Sequence, residues 1–129
     1  MYMYMNMYVQ VEDNYKLSTA FRAEHGSSDA KINIGILCEY DALPGIGHAC
    51  GHNLIAQVGI GAGIGVKAAL QQAGVTSARV TVLGCPAEEG EGGKVDLLRA
   101  GAFDDVDVAM MCHPGNHNAP SAVILNRQR

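Results

Sequence analysis

The chain has 129 residues, 48 % of them hydrophobic and 17 % charged, with a formal net charge of −4. That length fits a single domain, and so apolar a composition excludes intrinsic disorder, which needs few core-forming residues and a high net charge. Lysines and arginines are scattered without a basic block, which argues against a nucleic-acid or anionic-membrane surface.

The first eight residues, MYMYMNMY, are of low complexity. They lack the basic start of a signal peptide, so residues 1–16 are set apart from the fold and the domain is expected over 17–129. An edge strand is expected over Leu17–Glu24. Lys31–Cys38 is a β-branched, mostly apolar run of the kind that forms a strand buried on both faces. Pro44, Gly45 and Gly47 break regular structure in the following loop. A helix is expected over Asn53–Ala73, with Asn53 as N-cap and Gly74 as stop. Arg79–Gly84 reads as a second strand, the loop Cys85–Gly93 leads to a short helix near Lys94–Ala100 closed by Gly101, and Asp107–Cys112 reads as a third strand. Ser121–Leu125 reads as a further one.

Strands alternating with helices imply parallel pairing through right-handed crossovers. The expected fold class is therefore α/β, a layered sheet with mainly parallel strands and flanking helices. Glycines at 59, 61, 63 and 65 each cost the long helix about 1 kcal/mol relative to alanine. Either they let the helix approach the sheet closely or the helix breaks near Gly63. No apolar run of about 18 residues escapes this glycine dilution, so no membrane span is expected. Four cysteines in so core-rich a chain fit a reduced, cytoplasmic protein better than a disulfide scaffold.

In open α/β sheets the ligand crevice lies beyond the carboxyl ends of the strands. Glu39, Asp41, His48, Cys50 and His52 follow the first strand, Glu88 and Glu89 the second, and His113 the third. Thiol, imidazole and carboxylate together form a metal-ligand set. Two adjacent glutamates are ordinarily a solvated pair, and if both were buried they would need a cation or proton between them. His48, His117 and Glu91 carry the ordinary structural reading, and Cys38, Cys85 and Cys112 are read as small apolar fillers at strand ends. The turn Gly45–Gly51 sits between strand and helix as a dinucleotide-binding turn would. However, its G-x-G-x-x-x-G spacing is one residue too long, and Glu39 and Asp41 would repel a pyrophosphate.

The run Cys38-Glu-Tyr-Asp-Ala-Leu-Pro-Gly-Ile-Gly-His-Ala-Cys-Gly-His-Asn53 resembles the M20 metallopeptidase family, specifically its amidohydrolase-like branch of dipeptidases and aminobenzoyl-glutamate hydrolases. Pro86-Ala-Glu-Glu-Gly90 and His113-Pro114 match that family's next two blocks in order. The resemblance implies that Cys50, His52, Glu89 and His113 bind a divalent metal, zinc or manganese. It also implies that Glu88 is the general base and that Asp41 supports the catalytic centre from behind a ligand. Two residues before Asp41 the wider family often has a histidine ligand; here Glu39 stands there and receives no role from the resemblance. The implied reaction is hydrolysis of the amide bond of a dipeptide, with a basic C-terminal residue, or of an N-acyl amino acid. Full-length members carry a lid domain that mediates homodimerisation, and a late metal-binding histidine. The chain is accordingly expected to be an incomplete M20 catalytic domain, and the alternative to an enzyme is an inactive piece that binds metal or a partner only.

Overall fold

A five-stranded sheet organises residues 9–115, the part of the chain that the computed structural model describes. The elements in chain order are β1 (Gln10–Asp13), β2 (Phe21–His25), β3 (Ile32–Glu39), α1 (His52–Gln72), β4 (Ala78–Cys85), α2 (Glu88–Glu91), α3 (Gly93–Arg99) and β5 (Val108–Met110). Across the sheet the order is β1-β2-β4-β3-β5. Residues 1–8, His117 and the strand expected over Ser121–Leu125 lie outside the described residues.

The α/β class holds, with a sheet that is mixed. β3 pairs in parallel with both β4 and β5, as the strand–helix alternation predicts, whereas β2 pairs antiparallel with β4 and with β1. The strand expected at the sheet edge over Leu17–Glu24 is therefore interior and begins at Phe21. The true edge is β1, which falls inside the segment set apart as 1–16. All four β1 residues are exposed, Gln10-Val-Glu-Asp13, so no apolar alternation marks the strand, and its pairing rests on backbone groups that have no side-chain signature.

Each face of the sheet carries a core. Ile36, Cys38, Val80 and Val82 form one cluster, and α1 packs over it along β3 and β4. Leu83 and Cys85, pointing the other way, pack with Leu97 of α3, Ala20 and Ala102. The period-2 alternation of a strand thus supplies two layers from one run of residues. α1 runs unbroken past Gly63. A Cβ on Gly59 would lie 2.3 Å from Cys38 Sγ and one on Gly63 would lie 2.5 Å from Val82 Cγ2, but Gly61 and Gly65 have nothing within 4 Å. Close approach to the sheet therefore accounts for two of the four glycines; the structure supplies no contact that accounts for the other two.

The helix stops as expected. The Gly74 N–H donates to Gln71 O at 3.2 Å and the Val75 N–H to Leu70 O at 3.0 Å, a Schellman closure with Gly74 at φ +65°. Gly101 closes α3 with the same pair of bonds, to Leu98 O and Leu97 O. The start differs from expectation. The cap of α1 is Gly51 at φ +77° with no side-chain hydrogen bond, and not Asn53. The outward face of α1 carries exposed Leu54, Val58, Ile60 and Ile64. With 21 residues and a mean hydropathy of 1.3, α1 meets the length and composition requirement for a membrane span despite its glycines.

Arg22, paired with Leu83 in the sheet, is buried and its guanidinium lies among carboxylates. It donates to Glu24 at 2.7 Å and pairs with Asp105, which also accepts from Arg79 at 2.5 Å. Burial would lift the Asp105 carboxyl, but hydrogen bonding and the charges of Arg22 and Arg79 outweigh it and hold the group below its usual range.

Candidate metal centre

Parallel pairing of β4, β3 and β5 sets their carboxyl ends side by side, so the loops that follow them share one rim. Glu39 is the last residue of β3, Glu88 and Glu89 open α2 just past β4, and His113 follows β5 by three residues. These loops meet at His52. Its Nε2 lies 3.3 Å from Glu39 Oε2 and 3.7 Å from Glu89 Oε1, and its ring centroid is 5.9 Å from that of His113, edge on. Gly51 makes the junction close: its absent Cβ would meet Pro114 Cγ at 2.9 Å. The turn that presents the two glutamates carries strain. Ala87 adopts φ +53°, a left-handed conformation uncommon for a residue with a Cβ, and Glu89 and Gly90 leave helical dihedrals, so α2 is a kinked turn.

Asp41 organises the site from behind. Its Oδ1 accepts from His52 Nδ1–H at 2.9 Å and its Oδ2 accepts the Glu89 backbone N–H at 3.0 Å. Burial would raise the Asp41 carboxyl, but these two bonds outweigh it and hold the group below the usual carboxylate range. With Nδ1–H committed to Asp41, the Nε2 lone pair of His52 faces the site, the arrangement by which an outer carboxylate fixes a metal-binding histidine. His113 is fixed likewise, its Nδ1–H donating to Pro114 O at 2.7 Å.

The donor set fits a divalent ion. His52 Nε2 and Glu39 Oε2 are buried atoms without a hydrogen-bond partner among the described residues, a costly state for polar atoms unless a cation compensates. Two threes of donor atoms lie within 4.8 Å of one another, Cys50–His52–Glu89 and Glu39–His52–His113. The Cys50 thiol is pushed up first by its hydrogen bond to Glu89 and then by desolvation, with the neighbouring carboxylate charges acting the same way.

Of the four expected ligands, Cys50 and Glu89 lie with His52 in one group of donors, and His113 lies with His52 in the other. Glu88 stands beside them with its carboxylate 38 % exposed and 3.9 Å from Lys94 Nζ. His48 and Glu91 belong to neither group of donors. Cys38 and Cys85 are the buried fillers expected, with desolvation raising their thiols to about 11 and about 12. Cys112 is instead exposed, as are all three residues of β5 before it. Sequence reasoning passed over Lys94, which pairs with Glu39 through a short contact, and left Glu39 without a role although it is only 2 % exposed. The signal was present: a carboxylate ending a strand buried on both faces requires a partner charge.

No family model matches the chain. It is 52 % identical over 119 residues to the human Xaa-Arg dipeptidase, covering 84 % of this chain and 27 % of that protein. Against a p-aminobenzoyl-glutamate hydrolase polypeptide of Escherichia coli (strain K12) it is 40 % identical over 115 residues, covering 76 % and 23 %. Among solved structures it superposes on a dinuclear metal-binding peptidase of the M20 family from Bacillus subtilis with a TM-score of 0.58 and 26 % identity, covering 78 % of this chain and 32 % of that one. This chain belongs to the M20 family. It spans about a quarter of the length of the curated M20 relatives it matches. The matched M20 domain is the α/β sheet described above with its flanking helices.

Proposed function

We propose that this chain carries the metal-binding part of an M20 hydrolase that cleaves the amide bond of dipeptides. The observation that carries the reading is the buried, unpaired Nε2 of His52, aimed at the thiol and carboxylates of Cys50, Glu89 and Glu39. Cys50, His52, Glu89 and His113 are the residues that would hold the ion, and a thiolate among them favours zinc, with manganese the alternative. A divalent ion bound there supplies Lewis acidity toward the scissile carbonyl and toward water. Glu88, with its carboxylate partly open to solvent, takes a proton from the attacking water and returns it to the leaving amine. Asp41 keeps the His52 ring oriented and holds the Glu89 backbone through both steps. Glu89 does not share the proton work while its charge is committed to the ion, so adjacent glutamates divide two roles.

Higher identity to the Xaa-Arg dipeptidase than to the aminobenzoyl-glutamate hydrolase favours dipeptides with a basic C-terminal residue over aminobenzoyl-glutamate or other N-acyl amino acids. The four free cysteines fit a reducing, cytoplasmic setting. Zinc titration of the purified chain by calorimetry tests the centre. Cys50→Ser and His52→Ala each abolish binding in the expected result, and Cys85→Ser leaves it intact. Equal affinity in all three variants would remove the assignment. Turnover of an arginine-ended dipeptide by the 129-residue chain is expected at the metal-free blank, because so short a stretch of M20 sequence provides little wall for a substrate. Hydrolysis above that blank would refute this part.

A further inference from the structure

The end of the sheet away from the metal centre holds a cavity of about 270 Å³. It is lined by Leu70 near the end of α1, by Val75 and Thr76 after it, and by His25, Ser27 and Ala78. Ala78 opens β4, and the turn bearing Glu88 and Glu89 follows its other end at Cys85. The length of that strand, about 23 Å, therefore separates the cavity from the metal centre. His25 closes β2 and pairs with Val80, which places its imidazole on the face that α1 covers. The ring is part of the cavity wall and only 8 % exposed, and its Nδ1 is buried without a hydrogen-bond partner among the described residues. A polar atom at that depth is costly unless something bonds it. The mouth is fixed and open. The Gly74 and Val75 N–H groups are tied to the end of α1, and no atom lies within 4 Å of a Cβ placed on Gly74.

We infer that this cavity is a binding site for a small neutral molecule that carries a hydroxyl or primary amide beside a short apolar group. Size sets the first limit. The space equals about nine waters at about 30 Å³ each, near the lower end of small-molecule sites, about 300–1,000 Å³. Charge sets the second. Among the described residues no Asp, Glu, Lys or Arg lines the cavity, so an ion would lose its hydration with no opposite charge to meet. The wall offers two kinds of surface, apolar at Leu70, Val75 and Ala78 and hydrogen-bonding at His25, Ser27 and Thr76. Ser27 Oγ accepts from the Asp29 backbone N–H at 3.2 Å, which leaves its own proton to donate. A hydroxyl or amide both donates and accepts, so it suits the imidazole in either neutral tautomer. The cavity and the metal centre share no residue.

Isoamyl alcohol, titrated into the full chain at neutral pH and followed by nuclear magnetic resonance of the backbone amides, tests the site, with isovalerate as its charged counterpart. The alcohol should shift the amides of Gly26, Leu70 and Gly74 and saturate in the low-millimolar range, leaving those of His52 and Glu89 in place. Isovalerate should bind at least about tenfold more weakly. His25→Phe keeps a ring and removes its nitrogens, and should weaken the alcohol by about three- to tenfold, the loss of one neutral hydrogen bond. Val75→Trp, at a residue 41 % exposed, fills the cavity from its mouth and should abolish saturable binding. It reads the same site should His25→Phe disturb the fold. Absence of saturable shifts at these amides in the wild-type chain overturns the site. So do isovalerate binding as tight as that of the alcohol, unchanged affinity in His25→Phe, or binding that survives in Val75→Trp. A chain that gives the expected shifts but binds no zinc loses the hydrolase reading and keeps this site.

Discussion

Replacing Gly59 and Gly61 of α1 by alanine, one at a time, makes the same chemical change two residues apart and should stabilise only at Gly61. Either substitution relieves a helix of about 1 kcal/mol of glycine penalty. At Gly61 nothing lies within 4 Å of the new Cβ, so Gly61→Ala should stabilise by about 1 kcal/mol, or about 4 °C in Tm for a domain of this size. At Gly59 the new Cβ would sit 2.3 Å from Cys38 Sγ and 3.4 Å from Leu37 O. Ordinary carbon contacts need about 3.5 Å or more, so the helix or the buried sulfur must move by more than an ångström. Overpacking of this kind costs about 1–3 kcal/mol, which makes Gly59→Ala neutral to about 2 kcal/mol destabilising after the helix gain is subtracted. Urea denaturation followed by circular dichroism, read as the midpoint at constant slope, measures both. The double variant Gly59→Ala/Cys38→Ala removes the sulfur and should recover most of the loss. Equal stabilisation by Gly59→Ala and Gly61→Ala would refute the claim that glycine sets the distance between α1 and the sheet.

Asp105→Asn should lower stability at neutral pH and flatten the acid limb of the pH profile. The folded-state pKa of Asp105 is depressed, so its contribution is present above the unfolded value of about 3.9 and is lost as pH falls through the folded value; urea midpoints between neutral and acid pH that keep the wild-type slope would contradict this. Asp41→Asn should weaken zinc binding by about 10–100-fold, because His52 and the Glu89 backbone lose their common acceptor, while the far-ultraviolet circular dichroism stays that of the parent; unchanged affinity would show that the His52 ring is held by other means. In a longer M20 relative, substitution of glutamine at the position of Glu88 should keep the metal and abolish turnover, and at the position of Glu89 it should weaken the metal. The reverse pattern in metal content and hydrolysis would mean the two roles are exchanged.

Local sequence was sufficient wherever the deciding interaction is local. The apolar runs that become β3 and β4, the glycine stops at 74 and 101 and the order of the loops bearing Cys50, Glu89 and His113 all follow from periodicity and from the conformations only glycine adopts cheaply. What sequence alone left open depends on partners far along the chain. β1 is recognisable only once β2 offers its backbone, and Gly59 differs from Gly61 only because one of them faces Cys38. Glu39 gains its meaning from Lys94, 55 residues on, and from the His52 imidazole that Asp41 turns toward it. A chain can write down which groups exist and which way each strand faces, but the energy of a buried charge depends on what surrounds it, and those surroundings exist only after β3, β4 and β5 have been laid side by side.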